Sequence, residues 1–323
     1  MSAIFEEIQQ CIEKASSVLV VSHDRPDGDA IGSAVAMGIL LEKLGKTVRV
    51  VNSDLVPERL EFLPRREMVS RPSVPFDVDL VIALDSAGRD RIGEAVWAMA
   101  EGAGVLINID HHISNTEYGD LNYVDSESPA TGQIVFQLAR ANGWEMDSAI
   151  AENLYVAIST DTGSFCYPST TADTYRIAAE LIELGVDVGE LNRKLYSSYP
   201  KRRVELMGYL LEGMSLDCDG RFASVSLPLE VASQFGIQPG DMEGMIDMIR
   251  GIDSVILAAF FEELPGGKIR VSSRSKDAQF SVSELCATFG GGGHTLAAGA
   301  RLAGPMDEAR KRVLDQVCVM LEA

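Results

Sequence analysis

The sequence predicts an α/β protein: an N-terminal, mainly parallel sheet with helices on both faces, followed by a smaller C-terminal α/β domain. Three observations carry that expectation. Short, continuously apolar segments alternate with segments of helical spacing up to about residue 190, and continuous apolar strands belong to parallel sheets covered on both sides. The chain has 323 residues, beyond the size at which a single core stops growing. A second series of strands, helices and turns starts after residue 215. The expected division is residues 1–190, a basic helical linker over 191–215, and residues 216–323.

Taken in order, Ile4, Phe5, Ile8, Cys11 and Ile12 recur at helical spacing, which predicts a helix over residues 4–15. Residues 17–22 (SVLVVS) read as a buried strand. A loop and a small-residue helix over 30–44 follow, stopped by Gly45. Strands are expected at 47–51, 79–84 (DLVIAL) and 105–109 (VLINI), with helices near 91–101, 132–141, 148–160 and 171–184. Residues 191–203, LNRKLYSSYPKRR, hold five cations and no acid. They read as a connector with a basic face, a plain solvated helix being the alternative. Beyond it, strands are expected at 222–227, 255–261 and 268–273, the last two joined by a Pro-Gly-Gly turn. Helices are expected at 242–249, 282–289 and 307–321. Met242, Met245, Met248 and Ile249 fall on one stripe and read as core packing.

Charge and composition narrow the function. A net charge of −20 argues against a general binder of duplex DNA, because such affinity comes from neutralising phosphates with Lys and Arg. It leaves room for a small anionic substrate if metal cations dominate the local field. The N-terminus MSAIFEEIQQ carries acids where a signal peptide carries bases, and the longest apolar run, 255–261, is far too short to span a membrane. The five cysteines are scattered and contain no CxxC pair. They read as reduced core thiols, so a cytoplasmic location without membrane attachment is expected.

The chemistry concentrates in a few places. His23-Asp24-Arg25-Pro26-Asp27-Gly28-Asp29 follows the first strand, Asp85 follows DLVIAL, Asp110-His111-His112 follows VLINI, and Asp161 ends a helix. In an open parallel sheet, ligands bind beyond the carboxyl ends of the strands. The donors are carboxylates and imidazoles without thiolate, a set that suits Mn, Fe, Co, Zn or Mg. Singly, each fragment has a bland reading: Asp85 or the Asp27–Asp29 pair capping a helix, Asp161 ending one. The histidine census decides between the two readings. The chain has four histidines, His23, His111, His112 and His294, and all four lie in these motifs or in GGGGH near the C-terminus.

HDRPDGDAIGS, LDSAGR, IDHHISN and STDTGSF, in this order and spacing, resemble motifs I to IV of the DHH phosphoesterase superfamily. SSRS and GGGGH resemble its DHH-associated C-terminal domain, and the whole is most similar to the nanoRNase/pAp phosphatase (NrnA-type) branch. The resemblance makes 1–190 the catalytic metal-binding domain and 216–323 a substrate-binding domain, with a metal cleft between them. It implies two divalent cations, Mn2+ foremost with Mg2+ or Co2+ as substitutes, that activate a water to attack phosphorus. His23 and Asp27 would hold one ion, Asp29, His111 and Asp161 the other, and Asp85 would bridge them. His112 would face the phosphate. Arg274, Ser273, Gly291, Gly292, Gly293, His294 and Arg25 would contact substrate, the glycines by letting backbone N–H groups approach a phosphate.

The implied substrates are short single-stranded oligonucleotides, dinucleotides such as pApA, and the mononucleotide bisphosphate 3′-phosphoadenosine 5′-phosphate (pAp). A homodimer is compatible with the resemblance. A pyrophosphatase-like hydrolase of the same superfamily and a non-catalytic nucleotide sensor are the alternatives. The first would need a tight cationic cluster, and the second is disfavoured by a complete set of ligand residues.

Overall fold

The computed structural model describes residues 3–73 and 77–322. The chain forms two compact units, Met1–Ser198 and Tyr199–Ala323. No helix among the described residues is long and apolar enough to cross a membrane.

In the first unit, α1 (Ala3–Lys14) buries Phe5, Ile8 and Ile12 and leads into β1 (Ser17–Val21). Then come α2 (Gly28–Lys43), β2 (Thr47–Val51), the short β3 (Val69–Ser70), β4 (Leu80–Leu84), α3 (Glu94–Ala100), β5 (Val105–Asp110) and β6 (Leu121–Val124). Helices α4 (Thr131–Ala141), α5 (Ser148–Asp161), α6 (Ala172–Glu183) and α7 (Val188–Tyr196) complete it. The strands form one wholly parallel sheet in the order β3-β2-β1-β4-β5-β6.

Period-two alternation sends successive strand residues to opposite faces. Val18, Val20 and Ile82 join α1, α2, α4 and α5 in one core. Leu19, Val21 and Val81 meet Ile92, Val96 and Met99 in the other. Helix α2 is buried from Gly28 to Leu41. It can lie that deep because Gly32 has no side chain: a Cβ there would stand 2.4 Å from the carbonyl oxygen of Asn153 in α5. From β1 the chain builds outward through β2 and β3, then returns to place β4 on the other side of β1. The carboxyl ends of β1 and β4 therefore flank a topological switch point, where open α/β sheets bind ligands.

The second unit begins with α8 (Lys201–Glu212), β7 (Ser215–Asp217), β8 (Phe222–Leu227), α9 (Leu229–Phe235) and α10 (Met245–Arg250). It continues with β9 (Leu257–Leu264), β10 (Lys268–Ser275), α11 (Val282–Ala287), β11 (Gly292–His294), β12 (Ala297–Ala303) and α12 (Met306–Glu322). The sheet order is β11-β12-β10-β9-β8-β7, antiparallel except for the β8–β9 pair. Helices α11 and α12 cover one face through Leu285, Val313 and Val317. On the other face α8 and α10 cover β8 and β9 through Leu206, Leu210, Met245 and Ile249. Met242 and Met248 pack at the edge of the same cluster.

Two expectations need correction here. Cys218 and Cys318 form a disulfide across a sequence separation of 100, Cys11 is half-buried and Cys166 is exposed. Only Cys286 behaves as the expected buried thiol, so cysteine usage no longer argues for a reducing compartment. The stretch 191–203 does not present a free basic face. Arg193 and Lys194 pair with Glu190, Lys201 with Glu205, and Arg202 with Asp241. Arg203 donates to the backbone carbonyls of Gly240, Asp241 and Glu243. Leu191 is buried in the first unit's core, while Leu206 and Leu210 are buried in the second's.

Candidate metal centre

Each functional side chain is delivered by the end of a secondary-structure element. His23 follows β1, and Asp27 is the N-cap of α2, its Oδ1 accepting the amides of Asp29 and Ala30 at 3.0 and 3.1 Å. Asp29 opens α2 and points at the start of α4, where its two oxygens accept the backbone N–H groups of Thr131 (2.6 Å) and Gly132 (2.8 Å). An anionic side chain is favoured there by the orphan amides and the helix dipole. Asp85 follows β4 with φ +54°. A non-glycine residue in that region costs about 1–3 kcal/mol and persists where its surroundings over-determine it. Here the Asp85 amide donates to Ile109, and Thr131 Oγ1 donates to its Oδ1 at 3.1 Å. Asp161 is the last residue of α5.

These residues converge. Among the described residues, three groups each have donor atoms within 4.8 Å of one another: His23, Asp27 and Asp85; Asp29, His111 and Asp161; and Asp85, His111 and His112. Asp85 faces both of the first two histidines: its Oδ2 lies 3.5 Å from His23 Nε2 and its Oδ1 3.5 Å from His111 Nε2. His111 Nε2 also lies 3.2 Å from Asp161 Oδ2 and 3.8 Å from Asp29 Oδ2. The far side of each ring is anchored on a backbone carbonyl, His23 Nδ1 on Asp24 at 2.7 Å and His111 Nδ1 on Ser128 at 3.3 Å. Anchoring Nδ1 fixes the tautomer and presents Nε2 to a ligand.

The donor set fits a cation on two counts. It is carboxylate and imidazole throughout, and among the described residues the buried His111 Nε2 has no aligned hydrogen-bond partner, although Asp161 Oδ2 stands 3.2 Å away. Such a misaligned buried nitrogen is uncommon in a native interior and is suited to a cation held among the carboxylates.

The electrostatics describe a pocket of negative charge held together by protons. Burial opposes the charged form of His23, but hydrogen bonds and attraction from Asp27 and Asp85 overcome it and raise its pKa to about 11. Burial likewise opposes charge on His111, and Asp161 and Asp85 raise it to about 12. Burial pushes the Asp29 carboxyl well above its ordinary value, helped by repulsion from Asp85. Burial also raises Asp161, the His111 contact notwithstanding. Asp85 moves the other way: burial acts against its charge, and the flanking His111 and His23 pull it down.

His112 sits beside these groups, and its Nδ1 is 3.7 Å from Asp85 Oδ1. That nitrogen is already hydrogen-bonded to Asp110 Oδ1 at 2.8 Å, and Asp110 is the main cause of the raised His112 pKa. The bond commits Nδ1 and leaves Nε2 as the nitrogen open to a ligand.

Several polar residues that support this arrangement were not singled out from the sequence. Asn115 donates to Asp110 Oδ2 at 2.6 Å and to Asn108 Oδ1 at 2.8 Å. Asn52 donates to Ser22 Oγ and to the His23 carbonyl. A signal existed for two of them: Asn108 interrupts the apolar strand VLINI, and Asn52 ends TVRVV. Both are at most 1% exposed.

The expected substrate contacts have mixed placements. Arg25 is exposed on the loop between His23 and Asp27, with Nε 3.6 Å from Asp24 Oδ2. Arg274 and His294 share one cross-strand row of the second sheet, since both register with Ala297. Ser273 is a correction. One residue from Arg274 on a strand, it must point to the opposite face, and it is 1% exposed beneath the α11 side. Among the glycines, Gly291 is committed within the fold. The Gly290 and Gly291 amides donate to Ala287 and Cys286, closing off α11. A Cβ on Gly291 would stand 2.2 Å from the Gly299 carbonyl, so glycine is needed there for strand approach. Gly293 O accepts from Ser283, and Gly292 lies open on β11.

The chain is similar to known proteins over most of its length. Residues 17–158 match the DHH family N-terminal domain, and residues 222–322 match the DHHA1 domain. The chain is 35% identical over 314 residues to the bifunctional oligoribonuclease and PAP phosphatase NrnA of Thermus thermophilus, covering 96% of this chain and 91% of that one. It is 29% identical over 312 residues to the protein of the same name from Bacillus subtilis, covering 96% of each. Among solved structures, an exopolyphosphatase-related protein from Bacteroides fragilis superposes with a TM-score of 0.92 at 30% identity, covering 100% of this chain and 98% of that one.

Proposed function

The chain belongs to the DHH family and is a phosphoester hydrolase, and from that premise we propose that it acts with two divalent cations on short oligoribonucleotides and on 3′-phosphoadenosine 5′-phosphate. The observation that carries the reading is Asp85, whose two oxygens face separate histidine-containing groups. His23 and Asp27 would hold one ion, Asp29, His111 and Asp161 the other, and Asp85 would serve both. The ions supply an activated water and neutralise developing phosphoryl charge when bound. Manganese suits the oxygen and imidazole donors.

The protein's own groups do the rest. Asp110 accepts the Nδ1–H of His112 and favours the protonated ring, whose second proton on Nε2 can then be donated to a phosphoryl oxygen in the manner of an oxyanion donor. Asn115 fixes Asp110 in turn. The strained backbone at Asp85 holds its carboxylate in a single orientation and avoids reorganisation during turnover. The first unit is the catalytic one, and the second binds substrate through Arg274 and His294. The substrate class is supported by the names of the two bacterial relatives.

The test is a side-by-side assay with Mn(II) of product release from a diadenylate, from pAp and from inorganic pyrophosphate. Turnover of the first two in excess of the third is the expected result. Preferential hydrolysis of pyrophosphate would replace the reading with a phosphoanhydride hydrolase, and no metal-dependent release from any would end it.

A further inference from the structure

On the face of the second sheet that carries α8 and α10 over β8 and β9, the register aligns side chains in rows that run on across β10, β12 and β11. One row is Ala258, Arg274, Ala297 and His294. The next is Phe260, Ser272, Gly299 and Gly292, and the third is Glu262, Arg270 and Arg301. The first row carries the contacts proposed above. The third is unexplained by them. Arg270 and Arg301 are directly opposed on neighbouring antiparallel strands, an arrangement that is destabilising for like charges. Glu262 offsets one of them, its Oε2 accepting from Arg270 Nε at 2.6 Å. Arg301 is exposed and has no ion pair or side-chain hydrogen bond among the described residues. This occurs in a chain of net charge −20.

Between the rows lies a cavity of about 300 Å³, bordered by Arg270, Ser272, Gly291, Gly299 and Arg301. That size is the lower end for small-molecule sites. Gly299 gives it a floor without a side chain. Arg270 is four residues from Arg274 on the same strand, about 13 Å along the backbone at 3.3–3.4 Å per residue, far enough to grip a separate phosphate of one ligand.

We infer that the Arg270–Arg301 cavity is an anion subsite for a second phosphate of a nucleotide substrate, namely a terminal phosphate distinct from the one held by Arg274 and His294. The inference rests on the nucleotide reading above and deepens it. Arg301 is the selective element, because its guanidinium is uncommitted and can offer a two-pronged fork to a phosphate. Arg270, already bound to Glu262, contributes field rather than a free fork.

The experiment uses the full chain and three diadenylates: unphosphorylated, 5′-phosphorylated and 3′-phosphorylated. Binding is titrated calorimetrically with metal chelated, so that nothing is turned over, and cleavage is followed separately with Mn(II). In the wild type, one of the terminally phosphorylated forms should bind roughly tenfold tighter than the unphosphorylated one, the scale of one charge-assisted contact. Arg301→Ser should erase that advantage and leave affinity for unphosphorylated diadenylate unchanged, while Arg301→Lys should keep part of it. Equal affinities in the wild type, or an advantage that survives Arg301→Ser, would overturn the subsite even if dinucleotides are cleaved. An Arg301-dependent advantage in a protein that cleaves none of the three would uphold the subsite and remove the catalytic reading instead.

Discussion

Around the switch point of the first sheet, the ionisable groups are mostly buried and committed: His23 and His111 by their Nδ1 anchors, Asp29 by two amides, Asp110 by His112 and Asn115. On the open face of the second sheet, Lys268, Arg270, Arg274 and Arg301 stand partly or wholly in solvent, with two carboxylates, Glu262 and Asp247, near them. The difference separates two tasks. Chemistry on a phosphate needs groups fixed before the substrate arrives, because reorganisation during the reaction costs rate. Gripping an anion needs only accessible cations, which lose little by waiting in water. Damage to the first region should therefore appear in turnover on every substrate, and damage to the second only on substrates large enough to reach it.

The largest expected effect is at the point where the buried network is shared. Asp85→Asn should lower kcat by about 10³-fold or more on all substrates, with the circular dichroism spectrum unchanged. Retention of near-normal turnover with Mn(II) would dissolve the assignment of Asp85 to both ions.

The next test probes the other side of the contrast. Arg274→Ala should reduce kcat/KM for diadenylate and pAp by roughly 10²-fold, the scale of lost positioning. Hydrolysis of a small chromogenic phosphodiester, which has nothing to offer Arg274, should survive. Equal losses on both substrate classes would make Arg274 a structural residue and erase the division of labour.

A smaller effect is expected one step behind the reacting groups. Asn115→Ala leaves Asp110 Oδ2 without its donor and should lower kcat by about 10–100-fold, as outer partners of a metal site do. Metal content and KM should hold. If metal content falls instead, Asn115 supports the ligands and not His112.

The mildest test concerns protons. In the metal-free protein His23 and His111 carry raised pKa values of about 11 and about 12. A raised folded-state value gives stability that is complete below the unfolded value, near 6.5, and lost as pH rises through the folded one. Burial-raised Asp29 and Asp161 act in the same direction, while the lowered Asp85 matters only in acid. Thermal stability of the chelated protein should fall between pH 6.5 and 9, by at most about 1.4 kcal/mol per pH unit for each histidine. Added Mn(II) should reverse the trend, since ligands must shed protons to bind metal. A chelated protein that becomes more stable over that interval would contradict the charge pattern described for the first unit.

The sequence made some of this legible and not the rest, for physical reasons. Strand β4 was plain because LVIAL is buried on both faces. Strands β11 and β12 escaped notice because GGH and AAGARLA are built from small residues with little strand propensity, held in place by their neighbours. The ligand residues were visible because scarce histidines clustered with acids after strands. Their supports were not, since an asparagine such as Asn115 shows its purpose only when Asp110 lies 2.6 Å away. Ser273 follows the strand pleat: beside Arg274 it turns to the opposite, buried face, so the two cannot share a ligand. The Cys218–Cys318 pairing spans too much sequence for spacing to reveal it.

Asp27 has one further consequence. The carboxylate proposed to hold an ion is also the group on which α2 starts, through the amides of Asp29 and Ala30. Those two amide protons are therefore built-in observers of occupancy. Drawing electron density from Asp27 weakens it as an acceptor, and the nitrogen-bound protons should respond in chemical shift without any label near the centre. An investigator could follow loading of the protein in solution by watching two resonances at the beginning of a buried helix.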